Sequence, residues 1–122
     1  NIIVDANGNV KVVDFGLAII ENSSPEWEDS FQCLGTPFFI SPEALQGEHT
    51  DHRGDLYAVG VTLYQMLTWV IPPDNDAAPP SKLVAGLDTR FDAIVRQAMR
   101  GNPDLRYQSA AEIKRDLMAI FK

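Results

Sequence analysis

Two oxygen-bearing side chains could bind a metal ion together at one end of a predicted hairpin. Asp14 follows the apolar run at residues 10–13, and Gly16 lets the backbone turn sharply two positions later. Asn1 stands at the start of the other run, directly before residues 2–5. Carboxylate and amide oxygens are hard ligands that suit Mg²⁺. The alternative is an ordinary Asp that ends a strand before a glycine turn, with Asn1 only a chain end, and this pair alone favours that simpler interpretation.

The element that must position these residues is a β-hairpin. Residues 2–5 and 10–13 are rich in Ile and Val, which favours strands. Between them, Asn7 and Gly8 predict the two positive φ angles of a tight hairpin turn. From residue 14 to residue 42 the sequence has no periodicity and predicts one long loop. A loop of that length inside a compact domain is usually functional or disordered.

The rest of the chain predicts helices. Residues 53–68 form a central helix that is apolar enough to be buried on both faces, and the prolines at positions 72, 73, 79 and 80 then exclude helix. Two amphipathic helices follow at residues 90–100 and 110–121, the second capped by Ser109 with Glu112 three residues on. The predicted fold class is mainly α with a short β-hairpin, that is, α+β.

Composition excludes several classes of protein. At 122 residues, with 45% apolar and 22% charged residues, the chain predicts one small, folded, soluble domain. No apolar run is long enough to cross a bilayer. The single Cys33 excludes an internal disulfide and fits a reducing, cytoplasmic compartment. The net charge of −7 argues against nucleic acid as a partner. The first residue is not Met, so we expect a truncated chain whose parent protein could carry a membrane anchor elsewhere.

Three motifs in a fixed order raise the specificity of these observations. They are Asp14-Phe15-Gly16, Ser41-Pro42-Glu43 and the run Asp-Leu-Tyr-Ala-Val-Gly at residues 55–60, and a fourth stretch, Asn-Pro-Asp-Leu-Arg-Tyr-Gln-Ser-Ala, covers residues 102–110. With them the sequence closely resembles the C-terminal lobe of eukaryotic-like Ser/Thr protein kinases, in a style nearest to bacterial members. The resemblance extends over residues 1–122 as a partial kinase domain: the end of the catalytic loop, the Asp-Phe-Gly motif, the activation loop and the helices of the C-terminal lobe.

The resemblance implies transfer of the ATP γ-phosphate to Ser or Thr hydroxyls of protein substrates. Asp14 would chelate the Mg²⁺ that bridges the ATP phosphates, and Asn1 would hold a second metal position. Ile3 matches a position beneath the adenine ring, where ordinary core packing explains an apolar residue equally well. Thr36 matches the Thr that supports the substrate site and indicates Ser/Thr rather than Tyr substrates. The implied cofactors are ATP and Mg²⁺.

Other positions match structural residues of the family. Phe15 would pack inward and influence where the metal-binding carboxylate points, with Gly16 allowing the turn. Glu43 and Arg106 would form a buried ion pair that ties the end of the activation loop to the last helices. Asp55 would accept backbone hydrogen bonds from the catalytic loop. The simpler alternatives are a plain core Phe and, for Asp55, a favourable position near a helix N-terminus.

The activation loop offers candidate regulatory phosphorylation sites at Ser23, Ser24 and Ser30. A phosphate there could order the loop by pairing with arginines. The alternative is that these serines are solvated loop residues. Four acidic neighbours would repel an added phosphate: Glu21, Glu26, Glu28 and Asp29.

The departures from the family pattern shape the functional prediction. Nothing in the 122 residues resembles the Gly-rich loop, the phosphate-contacting Lys, its Glu partner or the catalytic Asp that accepts the substrate proton. We therefore expect the isolated chain to be inactive. The segment at residues 69–81 is also too short and proline-rich for the helix that the family usually has there. The alternative function is a pseudokinase or scaffold lobe used for protein binding, against which the intact metal ligands count.

Overall fold

A computed structural model describes residues 2–13, 39–73 and 77–121. The contacts divide the chain into two compact units, Asn1–Leu34 and Gly35–Lys122. Each unit is described by itself. Within the described ranges, no helix combines the length and the apolar character that crossing a membrane requires.

The described part of the first unit is an antiparallel hairpin of β1 (Ile2–Val4) and β2 (Val10–Val12). Ile2 pairs with Val12 and Val4 pairs with Val10. The predicted hairpin is therefore present, with strands of three residues each. Its apolar side chains are exposed, from 37% at Val13 to 63% at Val10.

The turn of the hairpin differs from the sequence prediction. Gly8 has φ 84°, but Asn7 is not in the positive-φ region. The prediction of a tight turn with two positive φ angles was therefore wrong. Instead the Asp5 amide donates to the Asn9 carbonyl and the Gly8 amide donates to the Asp5 carbonyl, which gives a wider loop with its left-handed residue at Gly8. The Asp5 carboxylate accepts the Asn7 and Asn9 amides and thereby stabilises the wider loop.

The described part of the second unit is helical. It consists of α1 (Pro42–Leu45), α2 (His52–Thr68), α3 (Pro80–Leu83), α4 (Arg90–Ala98) and α5 (Ala110–Ile120), with a 3₁₀ turn at Pro103–Leu105. The prediction of a helix at residues 53–68 is confirmed to within one residue. The two amphipathic helices are also confirmed, with α4 ending two residues earlier and α5 one residue earlier than predicted.

One prediction from the prolines was wrong. Residues 77–79 are irregular, but α3 begins at Pro80. Proline is tolerated in the first turn of a helix, where its missing N–H would have no intrahelical acceptor. Among the residues that the structure describes here, helix is therefore excluded only at residues 72–73 and 77–79.

The core of this unit lies where α2, α4 and α5 meet. Leu56, Ile94, Ala98, Tyr107 and Ile113 form one buried cluster. Helices α2 and α4 come very close to each other at Gly60, because a Cβ at this position would lie 2.7 Å from the Ala98 Cβ. The missing side chain allows α2 and α4 to approach each other.

The prediction that α2 is buried on both faces was wrong for the described structure. Val61 and Tyr64 are fully buried, but Met66 is 70% exposed and Val59 is 44% exposed. The described helices α3 and α4 contact α2 and cover part of its surface. Among the described residues, the exposed positions of α2 are His52, Asp55, Val59 and Met66, so its exposed surface is partly polar and partly apolar.

Candidate functional site

The structure brings Glu43 of α1 together with Arg106, which directly follows the 3₁₀ turn. Both residues are buried, with exposed fractions of 6% and 2%. The Arg106 Nη1 donates to Glu43 Oε1 at 2.9 Å and Nη2 donates to Oε2 at 3.0 Å. Two parallel bonds between planar groups give a bidentate ion pair with fixed geometry.

The remaining donors of Arg106 are also used. Nε donates to the Arg100 carbonyl at 3.0 Å, Nη1 to the Arg53 carbonyl at 2.7 Å, and Nη2 to the Gly101 carbonyl at 3.3 Å. The guanidinium carbon also lies 5.2 Å from the ring centroid of Tyr57. Since a guanidinium has five N–H donors, this burial leaves none of them without an acceptor.

The pair also sets the ionisation of Glu43. Burial would raise the pKa of this carboxyl, but the hydrogen bonds from Arg106, together with those from its own amide and from Ser41, outweigh burial and lower the pKa below its usual value. Glu43 is thus ionised at neutral pH. Ser41 is itself buried, and a Cβ on Gly54 would approach its Oγ to 3.3 Å.

A second charged cluster surrounds the N-terminus of α2. The Asp51 carboxylate caps the helix by accepting the Arg53 amide at 2.9 Å. The Arg53 guanidinium donates to Asp51 and, at 2.8 Å, to Asp104, and these hydrogen bonds raise its pKa. His52 Nε2 lies 2.6 Å from the Gln108 carbonyl. This cluster links the start of α2 to residues 104–108 beside the buried pair.

Of the other site residues predicted from the sequence, the structure describes only Asp55 and Ile3. Asp55 is exposed, and its carboxylate has no hydrogen-bond partner among the described residues. Ile3 is in β1 and is 55% exposed. The remaining predicted positions lie outside the described residues: Asn1, Asp14, Phe15, Gly16, Ser23, Ser24, Ser30 and Thr36. In the part of the chain that is described, no group of three or more His, Cys, Asp or Glu side chains could hold a metal ion.

Sequence reasoning missed the residues that complete the surroundings of Arg106. Tyr57 and the carbonyls of Arg53, Arg100 and Gly101 carry no local pattern that marks them as partners of a distant arginine. The Tyr107 hydroxyl, which donates to Asp116 at 2.8 Å, was missed as well. Burial, and then this hydrogen bond, raise the pKa of Tyr107. In the sequence, only the position of Tyr107 next to Arg106 could have marked this tyrosine as part of the site.

Comparison with known proteins identifies the family. The model of the protein kinase domain matches residues 1–118. The chain belongs to the protein kinase family. The matched region includes the two stretches that supply the buried pair, Ser41-Pro42-Glu43 and residues 102–110, which contain Arg106.

Three curated relatives that the chain resembles are bacterial kinases. Serine/threonine-protein kinase PknB of Mycobacterium tuberculosis strain H37Rv is 36% identical over 98% of the chain, which covers 21% of that protein. Probable serine/threonine-protein kinase PknB of Bifidobacterium longum is 37% identical over 97% of the chain and 19% of the relative. Probable serine/threonine-protein kinase CPE1738 of Clostridium perfringens is 36% identical over the whole chain and 20% of the relative. The chain spans about a fifth of the length of these relatives.

Proposed function

We propose that this chain is the C-terminal-lobe portion of a Ser/Thr protein kinase, which transfers the γ-phosphate of ATP to Ser or Thr hydroxyls of proteins. The observation that carries the proposal is the buried bidentate pair between Glu43 and Arg106. It joins two motifs that are 63 positions apart, in the way that the kinase resemblance implies. The names of the relatives support Ser/Thr substrates.

We base the proposed Mg-ATP site on the types of side chain that could bind the metal. Carboxylate and amide oxygens fit Mg²⁺, and Asp14 and Asn1 would hold it. The strand register supports this pairing, because Ile2 and Val12 are partners at the open end of the hairpin, and in the sequence Asn1 precedes Ile2 and Asp14 comes two positions after Val12. When bound, Mg²⁺ neutralises charge on the ATP phosphates. Ile3 would contact the adenine ring, and Thr36 would support the substrate hydroxyl.

The roles of the described residues are structural in this proposal. The Glu43–Arg106 pair would fix the end of the activation loop against α2, so that the substrate segment has one position. Asp55 would accept amide hydrogen bonds from the catalytic loop, for which its exposed carboxylate is available. Phe15 and Gly16 would set the direction of the Asp14 carboxylate, and phosphate on Ser23, Ser24 or Ser30 would order the loop.

The test is phosphate transfer by the natural full-length protein. With radiolabelled ATP and Mg²⁺ we expect phosphoserine and phosphothreonine, but no phosphotyrosine, on a basic protein mixture. Asp14→Asn should reduce the rate by about two to three orders of magnitude, because charge neutralisation at the phosphates is lost. Asp29→Asn, a matched change elsewhere in the same loop, should leave the rate within a factor of two. Nucleotide binding without transfer in the unmodified protein would instead indicate a pseudokinase.

A further inference from the structure

The loop of the hairpin contains the only Asn-Gly pair in the sequence, Asn7-Gly8. An Asn side chain can react with the backbone nitrogen of the next residue, and glycine hinders this reaction least because it has no Cβ. Both residues are exposed, and Gly8 has φ 84°, a conformation that favours glycine. The loop therefore presents to water a pair of residues that is well suited to deamidation.

The reaction at this pair needs water as its only co-reactant. The Gly8 nitrogen forms a bond to the Asn7 Cγ, and the side-chain NH₂ leaves as ammonia with the hydrogen of the Gly8 amide. Water then opens the five-membered imide at one of its two carbonyl–nitrogen bonds. One opening gives aspartate, and the other gives isoaspartate, in which the backbone runs through the side-chain CH₂. Either product changes the net charge from −7 to −8 (−7 − 1).

Two other asparagines that the structure describes are less suited to this reaction. Asn9 precedes Val10, whose branched side chain crowds the backbone nitrogen, and its Nδ2 donates to the Asp5 carboxylate at 2.9 Å. Asn102 precedes Pro103, whose nitrogen carries no hydrogen to lose. Its side-chain oxygen also accepts a backbone amide at 2.9 Å. These two residues are internal references for the reactivity of Asn7.

The closed loop opposes the reaction, because the reacting nitrogen is already hydrogen-bonded. The Gly8 amide donates to the Asp5 carbonyl at 3.0 Å. This bond must break before the nitrogen can turn toward the Asn7 Cγ and lose its hydrogen. The Asp5 carboxylate holds the loop closed by accepting the Asn7 amide at 2.8 Å and the Asn9 amide at 2.9 Å. Asp5 therefore protects Asn7 for as long as the loop stays closed.

The strands that close the loop are short. Each has three residues, and among the residues that the structure describes each pairs only with the other. Their apolar side chains are between 51% and 63% exposed. A two-stranded hairpin with so little burial is marginally stable. Local opening of the loop should therefore be far more frequent than unfolding of the whole protein.

We propose that Asn7 is a site of spontaneous deamidation, and that Asp5 sets its rate by controlling the opening of the hairpin loop. Asp5 is a positioning residue in this reaction, because it acts through the geometry of the loop. The isoaspartate product has one additional backbone carbon, so the bonds at Asp5 cannot all form again. Conversion of Asn7 thus leaves the hairpin permanently weakened. The reaction needs no phosphate transfer and is independent of the proposed function.

The test is peptide mapping by mass spectrometry on the natural full-length protein, after prolonged incubation in mildly alkaline buffer. Deamidation is measured at each asparagine from the mass gained when NH₂ is replaced by OH, and isoaspartate is identified by enzymatic methylation of its carboxylate. We expect the converted fraction at Asn7 to exceed that at Asn9 by about tenfold or more, and no imide formation at Asn102. Equal conversion at Asn7 and Asn9, or none at Asn7, would overturn the proposal.

Variants test the role of Asp5. Asp5→Ala removes the acceptor of the loop amides and should raise the rate at Asn7 by about fivefold or more. Exchange of the Gly8 amide hydrogen with solvent should accelerate by the same factor, because both reactions need the same opening. Lys11→Gln, a matched change of an exposed charge in β2, should alter the rate by less than about twofold. An unchanged rate in Asp5→Ala would show that Asp5 does not control the reaction.

A further variant distinguishes local opening from unfolding of the whole protein. Gly60→Ala lies in the second unit and should destabilise it, because a Cβ there would meet the Ala98 Cβ at 2.7 Å. The rate at Asn7 should nevertheless stay within a factor of about two. If Gly60→Ala accelerates the reaction as much as Asp5→Ala does, Asn7 reacts only from the unfolded chain and the loop mechanism is wrong.

Discussion

At Arg106, a buried guanidinium uses every donor it has. Removing this charge from water is costly, and the cost is offset by a bidentate carboxylate, three backbone carbonyls and the face of Tyr57. A lysine has three donors on a single atom and could not reach acceptors arranged in this plane. The pair therefore depends on the shape of the arginine as well as on its charge.

Breaking the pair should strongly destabilise the protein. Glu43→Gln or Arg106→Lys leaves a partner buried without its full complement of bonds, and we expect a loss of about 3–5 kcal/mol in the free energy of unfolding. Urea denaturation followed by circular dichroism measures this. Arg115→Gln removes one partner of the exposed pair with Asp116 and should cost less than about 1 kcal/mol. A similar small loss at Glu43 would show that the pair is not a stabilising contact.

The same pair predicts a pH dependence with a definite sign. The pKa of Glu43 in the folded protein lies below its usual value of 4.5, so its contribution to stability is present above about pH 4.5 and is lost as pH falls through the folded-state pKa. The stability difference between the unmodified protein and Glu43→Gln should therefore shrink in acid. A difference that grows in acid would contradict this assignment.

At the scale of elements, the crossing of α2 and α4 depends on Gly60. A Cβ there would meet the Ala98 Cβ at 2.7 Å and the Met99 Cγ at 2.9 Å. Gly60→Ala gains about 1 kcal/mol of helix propensity, but forcing the helices apart should produce a net loss of about 1–3 kcal/mol. Thermal unfolding measures the change. Adding Ala98→Gly should restore much of the stability, and Gly101→Ala, where a Cβ meets nothing within 4 Å, is the neutral control.

The C-terminus of α2 stores strain. Trp69 ends the helix with φ 62°, a left-handed conformation that suits glycine, and its side chain is 91% exposed. Trp69→Gly should raise the free energy of unfolding by about 1 kcal/mol, because the steric cost at Cβ is removed. Trp69→Ala keeps that cost and serves as the matched control. Equal stability of the Gly and Ala variants would show that the backbone there is unstrained.

Element boundaries were predictable wherever a local signal fixed them. The Ser109 hydroxyl accepts the Glu112 amide, as the capping pattern at the start of α5 predicted, while the Glu112 carboxylate accepts the Gln108 amide. The hairpin turn was not predictable in detail, because the Asp5 carboxylate competes with the short turn that Asn7 and Gly8 favour. Contacts between distant segments, such as Gly60 against Ala98, depend on packing that no short sequence window contains.

At the scale of the whole molecule, the 122-residue chain should not transfer phosphate by itself. Nothing in its sequence resembles the Gly-rich loop, the phosphate-contacting Lys or the catalytic Asp, which in kinases position ATP and accept the substrate proton. We expect no turnover above background in a radiolabelled ATP assay, and only weak Mg-ATP binding by calorimetry. Clear turnover by the purified chain would show that it contains its own catalytic base.

The candidate site was predictable from motifs rather than from periodicity. Asp14, Asn1 and Thr36 were identified only because Asp-Phe-Gly, Ser-Pro-Glu and the run at residues 55–60 occur in order and carry the resemblance to Ser/Thr kinases, and the roles of these residues stay predictions. The Glu43–Arg106 contact follows from the same resemblance, and the structure has that geometry.

The five bonds of Arg106 have a consequence for local opening. One side chain holds α1, the first turn of α2 and the carbonyls of residues 100–101, so none of these segments can separate from the others without exposing the same buried charge. Their amide hydrogens should exchange with solvent at one shared free energy, as a single cooperative unit. The guanidinium thus acts as a non-covalent cross-link, which makes the stability of three separate segments a property of one residue.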